Sequence, residues 1–280
     1  MNKKHLILLA LPALMLSGCN KEISAADAKA KAKEIEEHEV KAEDYKALTV
    51  SASLVTEAVG KVDGQEGNQK AEMKTLVEFS VEQNYIHTLT YEKEQDVKND
   101  KTDLYDVESW TYLKDDALIV AVRQNDGKEE EKTYTSISGV ADVAKAAFQK
   151  ALDPVVKSAL ETASSKEMLK EVEEMADEKV PEGSKYDVKY YTSGDGNLTV
   201  EGTATFTDYA YDGMKGSGTG KVKYAWDQYL LAEVAASMEL KVVDAESDTD
   251  ATMKMDMQEA IKFECGVAYP DLSQFKQATL

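Results

Sequence analysis

From Leu48 the chain alternates. Leu48, Val50, Ala52 and Leu54 fall on one side and Thr49, Ser51 and Ser53 on the other, which predicts a half-buried β-strand. The same period of two runs through Met73, Thr75, Val77, Phe79 and Val81, then Tyr85 to Tyr91, Tyr105 to Leu113, Ala117 to Arg123 and Lys132 to Ile137. Between them, Gly60 to Asn68 with Asp63-Gly64 inside it predicts a hairpin turn, as do Lys114-Asp115-Asp116 and Asn125-Asp126-Gly127. The polar run Glu92 to Asp103 predicts a loop. Strands joined in sequence by short turns favour an antiparallel meander over parallel βαβ units.

Over residues 139–177 the period becomes helical. Val140, Val143, Ala144, Ala147, Phe148, Ala151, Leu152, Val155, Val156, Ala159 and Leu160 make a broad apolar face, and Pro154 is expected to kink or split the helix near Leu152-Asp153. Ser164-Ser165-Lys166-Glu167 reads as a capping box opening a further helix, with Met168, Leu169, Val172 and Met175 on its apolar side. Strands resume over 185–268, through Tyr186-Val188-Tyr190, Leu198 to Phe206, Lys221 to Trp226, the long run Tyr229 to Val243, the alternating Met253, Met255 and Met257, and Ile261 to Val267. Gly213 to Gly220 is expected to be a mobile loop or a wide turn and Asp244 to Asp250 an acidic turn. Ahead of it all, Ser24 caps a helix over Ala25 to about Val40 that offers the thin stripe Ala25, Ala28, Ala32, Ile35 and Val40.

The class is therefore α+β: an antiparallel β meander forming a curved sheet or incomplete barrel, one face covered by a central amphipathic helix block. Residues 24–280 are read as one domain, with strands over 48–137, helices over 139–177 and strands over 185–268.

The first residues carry an address. Lys3 and Lys4 precede an apolar run from Leu6 to Leu16, which has the layout of a secretory signal and is too short to remain as a spanning helix. Leu16-Ser17-Gly18-Cys19 resembles the lipobox of bacterial lipoproteins. The resemblance implies a signal peptide at 1–18, a diacylglyceryl group (with palmitate-type acyl chains) on Cys19, a lipidated tether at 19–23, and an extracytoplasmic chain anchored to the bacterial cell membrane.

Composition narrows the chemistry. The net charge is −20 and Arg123 is the sole arginine, so binding to a phosphate backbone is disfavoured and no nucleic-acid partner is expected. With Cys19 acylated, Cys265 lacks a disulfide partner, and its neighbours Ile261, Phe263 and Val267 predict a buried, inert thiol. His38 and His87 are isolated, and no serine nucleophile elbow, phosphate-binding glycine loop or HExxH motif occurs. The expectation is a protein that is not an enzyme and has no cofactor and no metal. Asp248, Asp250, Asp256 and Glu259 partly fit a calcium loop, but Met253 stands where the turn glycine belongs, and a solvated acidic hairpin is the simpler reading.

The layout as a whole, with segments such as Trp110-Thr111-Tyr112-Leu113-Lys114-Asp115 and Trp226-Asp227-Gln228-Tyr229-Leu230, resembles the LolA/LolB and LppX/LprG group of lipoprotein and lipid carriers. That resemblance implies an incomplete barrel whose apolar cavity, closed by helices, holds acyl chains. The expected function is a non-catalytic carrier of an apolar ligand (a lipid or a lipoprotein acyl chain), with Phe148, Leu152, Val156, Leu160, Met253 and Met255 lining the cavity and Pro154 as the hinge of a helical lid. The alternative is a surface interaction or adhesion module with no small-molecule ligand.

Overall fold

The computed structural model describes residues 20–41, 44–62, 64–164, 184–211, 214–244 and 248–278. Thirteen strands form one sheet, flanked by the helices α1 (Ala25–Glu37) and α2 (Ala141–Ala163). The strands are β1 (Lys21–Ile23), β2 (Ala47–Val62), β3 (Gln65–Ser80), β4 (Tyr85–Asp96), β5 (Lys101–Lys114), β6 (Ala117–Asn125) and β7 (Glu130–Ser138). After α2 come β8 (Ser184–Thr192), β9 (Leu198–Tyr211), β10 (Met214–Asp227), β11 (Leu230–Asp244), β12 (Thr249–Lys262) and β13 (Lys276–Gln277). Their order across the sheet is β1-β8-β9-β10-β11-β12-β2-β3-β4-β5-β6-β7-β13. The sheet is open, with β1 and β13 at its edges, and all neighbours are antiparallel except β13 on β7.

Two meanders are thus joined side by side. β12 pairs with β2 along almost its whole length, from Asp250 opposite Lys61 to Lys262 opposite Thr49. Nothing in the local pattern of either strand announces this pairing, because it joins positions about as far apart as the domain allows. The polar run Glu92 to Asp103 is also strand for much of its length, since β4 and β5 stay paired out to Asp96 and Lys101. Of the Gly213 to Gly220 stretch, the described residues 214–220 are strand as well. Gly216, Gly218 and Gly220 alternate within β10, which is paired on both sides. A Cβ on Gly218 would lie 2.3 Å from the Glu239 carbonyl oxygen and 3.1 Å from the Phe206 ring, so the close approach of β11 and the ring across from it require glycine there.

Residues directly opposite each other in the ladders share a face. Following the registers outward from β2, one face carries Leu48, Val50, Phe79, Ile86, Val200, Tyr224, Val234 and Trp226; we call it face B. The other, face A, carries Tyr85, His87, Trp110, Tyr112 and Ala121. The helices pack on face B. Leu152, Val156, Leu160 and Ala163 of α2 and Ala28, Ala32 and Ile35 of α1 form one core with Leu48, Phe79, Leu198, Val200 and Trp226. Each leucine, valine, isoleucine or phenylalanine among them contributes roughly 1.5–3 kcal/mol of transfer free energy on leaving water. The Ser24 hydroxyl accepts the Asp27 N–H at 3.1 Å and closes the first turn of α1, as its sequence predicts.

The expectation that one face alone is covered needs correcting. Beyond β12 the chain crosses face A, where Cys265, Val267, Leu272 and Phe275 pack on Tyr85, Trp110, Tyr112, Ile119 and Ala121 as a second core. The Tyr85 hydroxyl donates to the Ala268 carbonyl at 2.9 Å, Asp271 caps a 3-10 turn at Leu272–Gln274, and Lys276–Gln277 then joins the edge of β7. Phe263 packs with the first core and Cys265 with the second, so the last apolar run divides between two layers.

Of the kink or split expected at Pro154, the split does not occur. α2 continues from Ala141 to Ala163 with Pro154 inside it and exposed. The helix block is smaller than expected among the described residues. The capping box from Ser165 on, and the apolar stripe Met168 to Met175, lie outside them, as do the leader and Cys19.

Candidate functional site

The six residues expected to line one cavity are not brought together. Phe148, Leu152, Val156 and Leu160 are all less than 7% exposed, and the last three belong to the helix-covered core. Met253 is 47% exposed and Met255 half-buried, both farther along face B. A groove of about 560 Å³ opens on the sheet over β2 and β9 to β12, and its lining mixes Glu201, Lys223, Glu233, Asp256 and Gln258 with Val55, Val222, Ala235 and Met257. Lys223 donates to Glu233 at 2.8 Å and Gln258 to the same carboxylate at 3.3 Å. An acyl chain needs a predominantly apolar enclosure. This groove carries charged side chains and lies on face A, away from the six residues expected to line a cavity, so it is not the enclosure a lipid carrier needs.

What the structure does assemble on face B is an apolar field that none of the described residues covers. Met257 stands opposite Ala236 on one side and Leu54 on the other, and Leu54 stands opposite Met73. One step along the strands, Met255 faces Met238, and one further, Met253 faces Leu240. Met73 is 42% exposed and Met257 37%, while Leu54, Met238, Leu240 and Val242 are half-buried. The field continues the core: Leu48 and Phe79 at one end of β2 and β3 lie under the helices, and Leu54 and Met73 lie past them. Methionine side chains are unbranched and polarizable, and such surfaces fit irregular partners. The alternation of Met253, Met255 and Met257 was visible in the sequence. The neighbours that make them a field, Met73 and Leu54, become visible only once β12 is placed against β2.

Charge is distributed by face. Among the described residues, every lysine and arginine in β2 to β12 except Lys101 falls on face A, as the registers show for Lys61, Lys74, Arg123, Lys221, Lys241 and Lys254. Face A is accordingly a mixed surface with ion pairs such as Lys241–Asp250 at 3.4 Å and Lys74–Glu72 at 2.6 Å. Face B instead carries exposed carboxylates: Glu92 directly opposite both Met73 and Tyr105, Glu94 opposite Asp103, and Glu259 beyond Met257.

A second polar assembly lies on face A. His87 is buried with Nδ1 2.7 Å from Glu78 and Nε2 2.9 Å from Glu108. Arg123 donates to Glu108 at 2.9 Å and makes two bonds to Asp106, at 2.7 and 3.0 Å. These carboxylates raise the guanidinium's already high proton affinity. Each hydrogen-bonding group here is engaged by another, which is the arrangement of a structural clamp. Burial pushes the Cys265 thiol up to about 11, away from nucleophilic chemistry.

The acidic hairpin does not gather a calcium loop. Lys61 donates to Asp248, Asp250 pairs with Lys241, and Asp256 and Glu259 fall on opposite faces of β12. Among the described residues no group of three or more histidine, cysteine or acidic side chains converges as a metal site would require. None of their helices is long and apolar enough to cross a membrane, which leaves strand-built spans untouched.

No family model and no curated protein matches the chain. Among solved structures it is similar to the translocator domain of autotransporter NalP from Neisseria meningitidis, at 10% identity over 84% of this chain and 93% of that one, with a TM-score of 0.18. It is also similar to the transport unit of autotransporter AIDA-I from Escherichia coli, at 10% identity over 86% and 97%, with a TM-score of 0.16. These neighbours are not lipoprotein carriers. The resemblance to the LolA/LolB and LppX/LprG group, with its lipid ligand and its diacylglyceryl-anchored carrier, is corrected on the structure itself, where the six residues expected to line one cavity divide between a packed core and an exposed stretch of the sheet. TM-scores this low mean that the chain paths do not superpose, so nothing of the translocators' activity is carried to this chain either.

Proposed function

We propose that the chain is a non-catalytic interaction module of the cell envelope, and that its working surface is the uncovered methionine field on face B, which receives a protein partner. The observation that carries this reading is the continuation of the core face past the helices, leaving Met73, Met253 and Met257 in water. Contiguous exposed apolar surface is uncommon on a monomer and marks interaction sites. The leader supports a place in the envelope. The non-catalytic part rests on the same groups that a reaction would need: His87 is held between two carboxylates, and the Cys265 thiol has its proton held by burial. Twist accumulates between neighbouring strands and open sheets of this size curl, so the field is read as the floor of a curved surface and not as a plane.

A photo-crosslinking amino acid at Met253 tests the reading in the native host, with the adjacent Lys254, on the opposite face, as control. A discrete protein adduct from position 253 and none from 254 is the expected result. Equal adducts from both positions, or none from 253, would overturn it.

A further inference from the structure

Resting on that reading, we infer that the partner presents a basic amphipathic helix, laid with its apolar stripe on the methionine field and its lysine or arginine flank along Glu92 and Glu94, while Asp103 beyond them is paired with Lys101 at 3.3 Å. Three observations on the same surface point to this chemistry. The first is the sorting of charge: face B is nearly without cations in β2 to β12, while its exposed acids stand one strand beyond Met73. An apolar field bordered on one side by like charges selects a partner of opposite sign and repels one of the same sign.

The second is size. From Ala236 to Met73 the field spans three inter-strand spacings, roughly 14 Å, and from Met253 to Met257 it runs about 13 Å along β12. A helix with its side chains is about 10–12 Å across, so one helix covers the field and leaves its flank over β4 and β5. The third is chemistry. Four methionines, Met73, Met253, Met255 and Met257, give an adaptable floor for helical side chains spaced at three and four. A second copy of this chain is the less suitable occupant, because its own Glu92 and Glu94 would be brought toward this pair and the chain carries a net charge of −20.

The test uses the purified protein and three labelled eighteen-residue peptides of about equal length: an amphipathic leucine–lysine helix, the same helix with glutamate in place of lysine, and a scrambled leucine–lysine sequence that has no apolar stripe. Binding is read by fluorescence anisotropy. Saturable binding of the leucine–lysine helix is expected, with the other two at least about tenfold weaker. The double variant Glu92→Lys/Glu94→Lys should weaken the helix about tenfold, and Met253→Glu/Met257→Glu more, whereas the face A variant Glu57→Lys/Glu239→Lys should leave it nearly unchanged. Equal binding of the scrambled peptide, or equal loss from the face A variant, would reduce the effect to the attraction of any polycation and overturn the inference. So would self-association in sedimentation that is abolished by the methionine variant. Failure of the peptides alongside a discrete adduct at Met253 would discard the basic helix and keep the protein-binding surface. Loss of both would discard the two together.

Discussion

The imidazole of His87 lies flat on the indole of Trp110, with ring centroids 5.1 Å apart and planes 5° from parallel. The stack holds the ring edge-on between Glu78 and Glu108, so that both nitrogens meet a carboxylate. His87→Phe keeps the stacking surface and strips both hydrogen bonds, leaving two half-buried carboxylates short of a partner. We expect a loss of about 2–4 kcal/mol in urea unfolding. Arg123→Met should cost a similar amount, and the double variant less than the sum, because both residues act on Glu108. Strict additivity would show that the chain from Glu78 to Asp106 is not one network.

Stability should fall in alkali. Burial pushes the Tyr85 phenol up to about 12, and burial pushes Cys265 up to about 11. Both groups are neutral when protonated, and the unfolded chain loses these protons near pH 10 and 9. The folded state therefore binds more protons in that window. Its advantage is full below about pH 9 and drains away as the pH rises to about 12, by roughly 1–3 kcal/mol for Tyr85. Tyr85→Phe should lower stability at neutral pH by removing the bond to Ala268, and its deficit should shrink above pH 10. A deficit that stays constant to pH 12 would contradict the assignment.

The covered and uncovered parts of face B should respond differently to truncation. Leu152, on the side of α2 that packs on face B, is 1% exposed, and Leu152→Ala should cost about 2–5 kcal/mol by leaving a cavity. Met253 is 47% exposed, and Met253→Ala should change stability by no more than about 0.5 kcal/mol. Thermal denaturation of the two variants decides the matter. A costly Met253→Ala would mean the field is internal packing and not a surface.

Gly60 is held by the neighbouring strand. Its φ is +136°, and a Cβ there would lie 2.3 Å from the Asp250 carbonyl oxygen and 2.6 Å from the Ala251 Cα. Backbone atoms do not move aside as a flexible side chain does. Gly60→Ala should cost about 1–3 kcal/mol and speed amide exchange in Asp250 to Thr252 ahead of the rest of β12. Protection that falls evenly along the strand would argue for a global effect.

Much of the strand pattern could be read from the sequence because a period of two is written locally. Leu48 to Leu54 and Met253 to Met257 declare their faces without reference to anything distant. The cap at Ser24 and the stripe Ala28-Ala32-Ile35 are equally local. What escaped was non-local or masked by composition. Gly216, Gly218 and Gly220 look like a loop until β9 and β11 are seen on either side, and the polar ends of β4 and β5 look like a loop because a two-sided polar ladder has no apolar period to betray it. The candidate surface was half legible. Three methionines of β12 show in the sequence, while Met73 and the acids along β4 join them only through pairings between strands.

The pairing of β12 with β2 also sets a timetable. A chain that emerges from its N-terminus can fold β2 to β7 as a series of adjacent hairpins, each closing as soon as its second strand is free. β2, however, must wait with one edge bare until β12 arrives, nearly the whole length of the domain later. Contacts between such distant positions are the slow ones, because the loop between them has to be closed before they return any free energy. Until then Leu54 and its neighbours face an unpaired strand edge, the kind of surface that invites a wrong partner. The exposure of that edge therefore lasts as long as the making of the chain up to β12, and it ends only when β12 closes on β2.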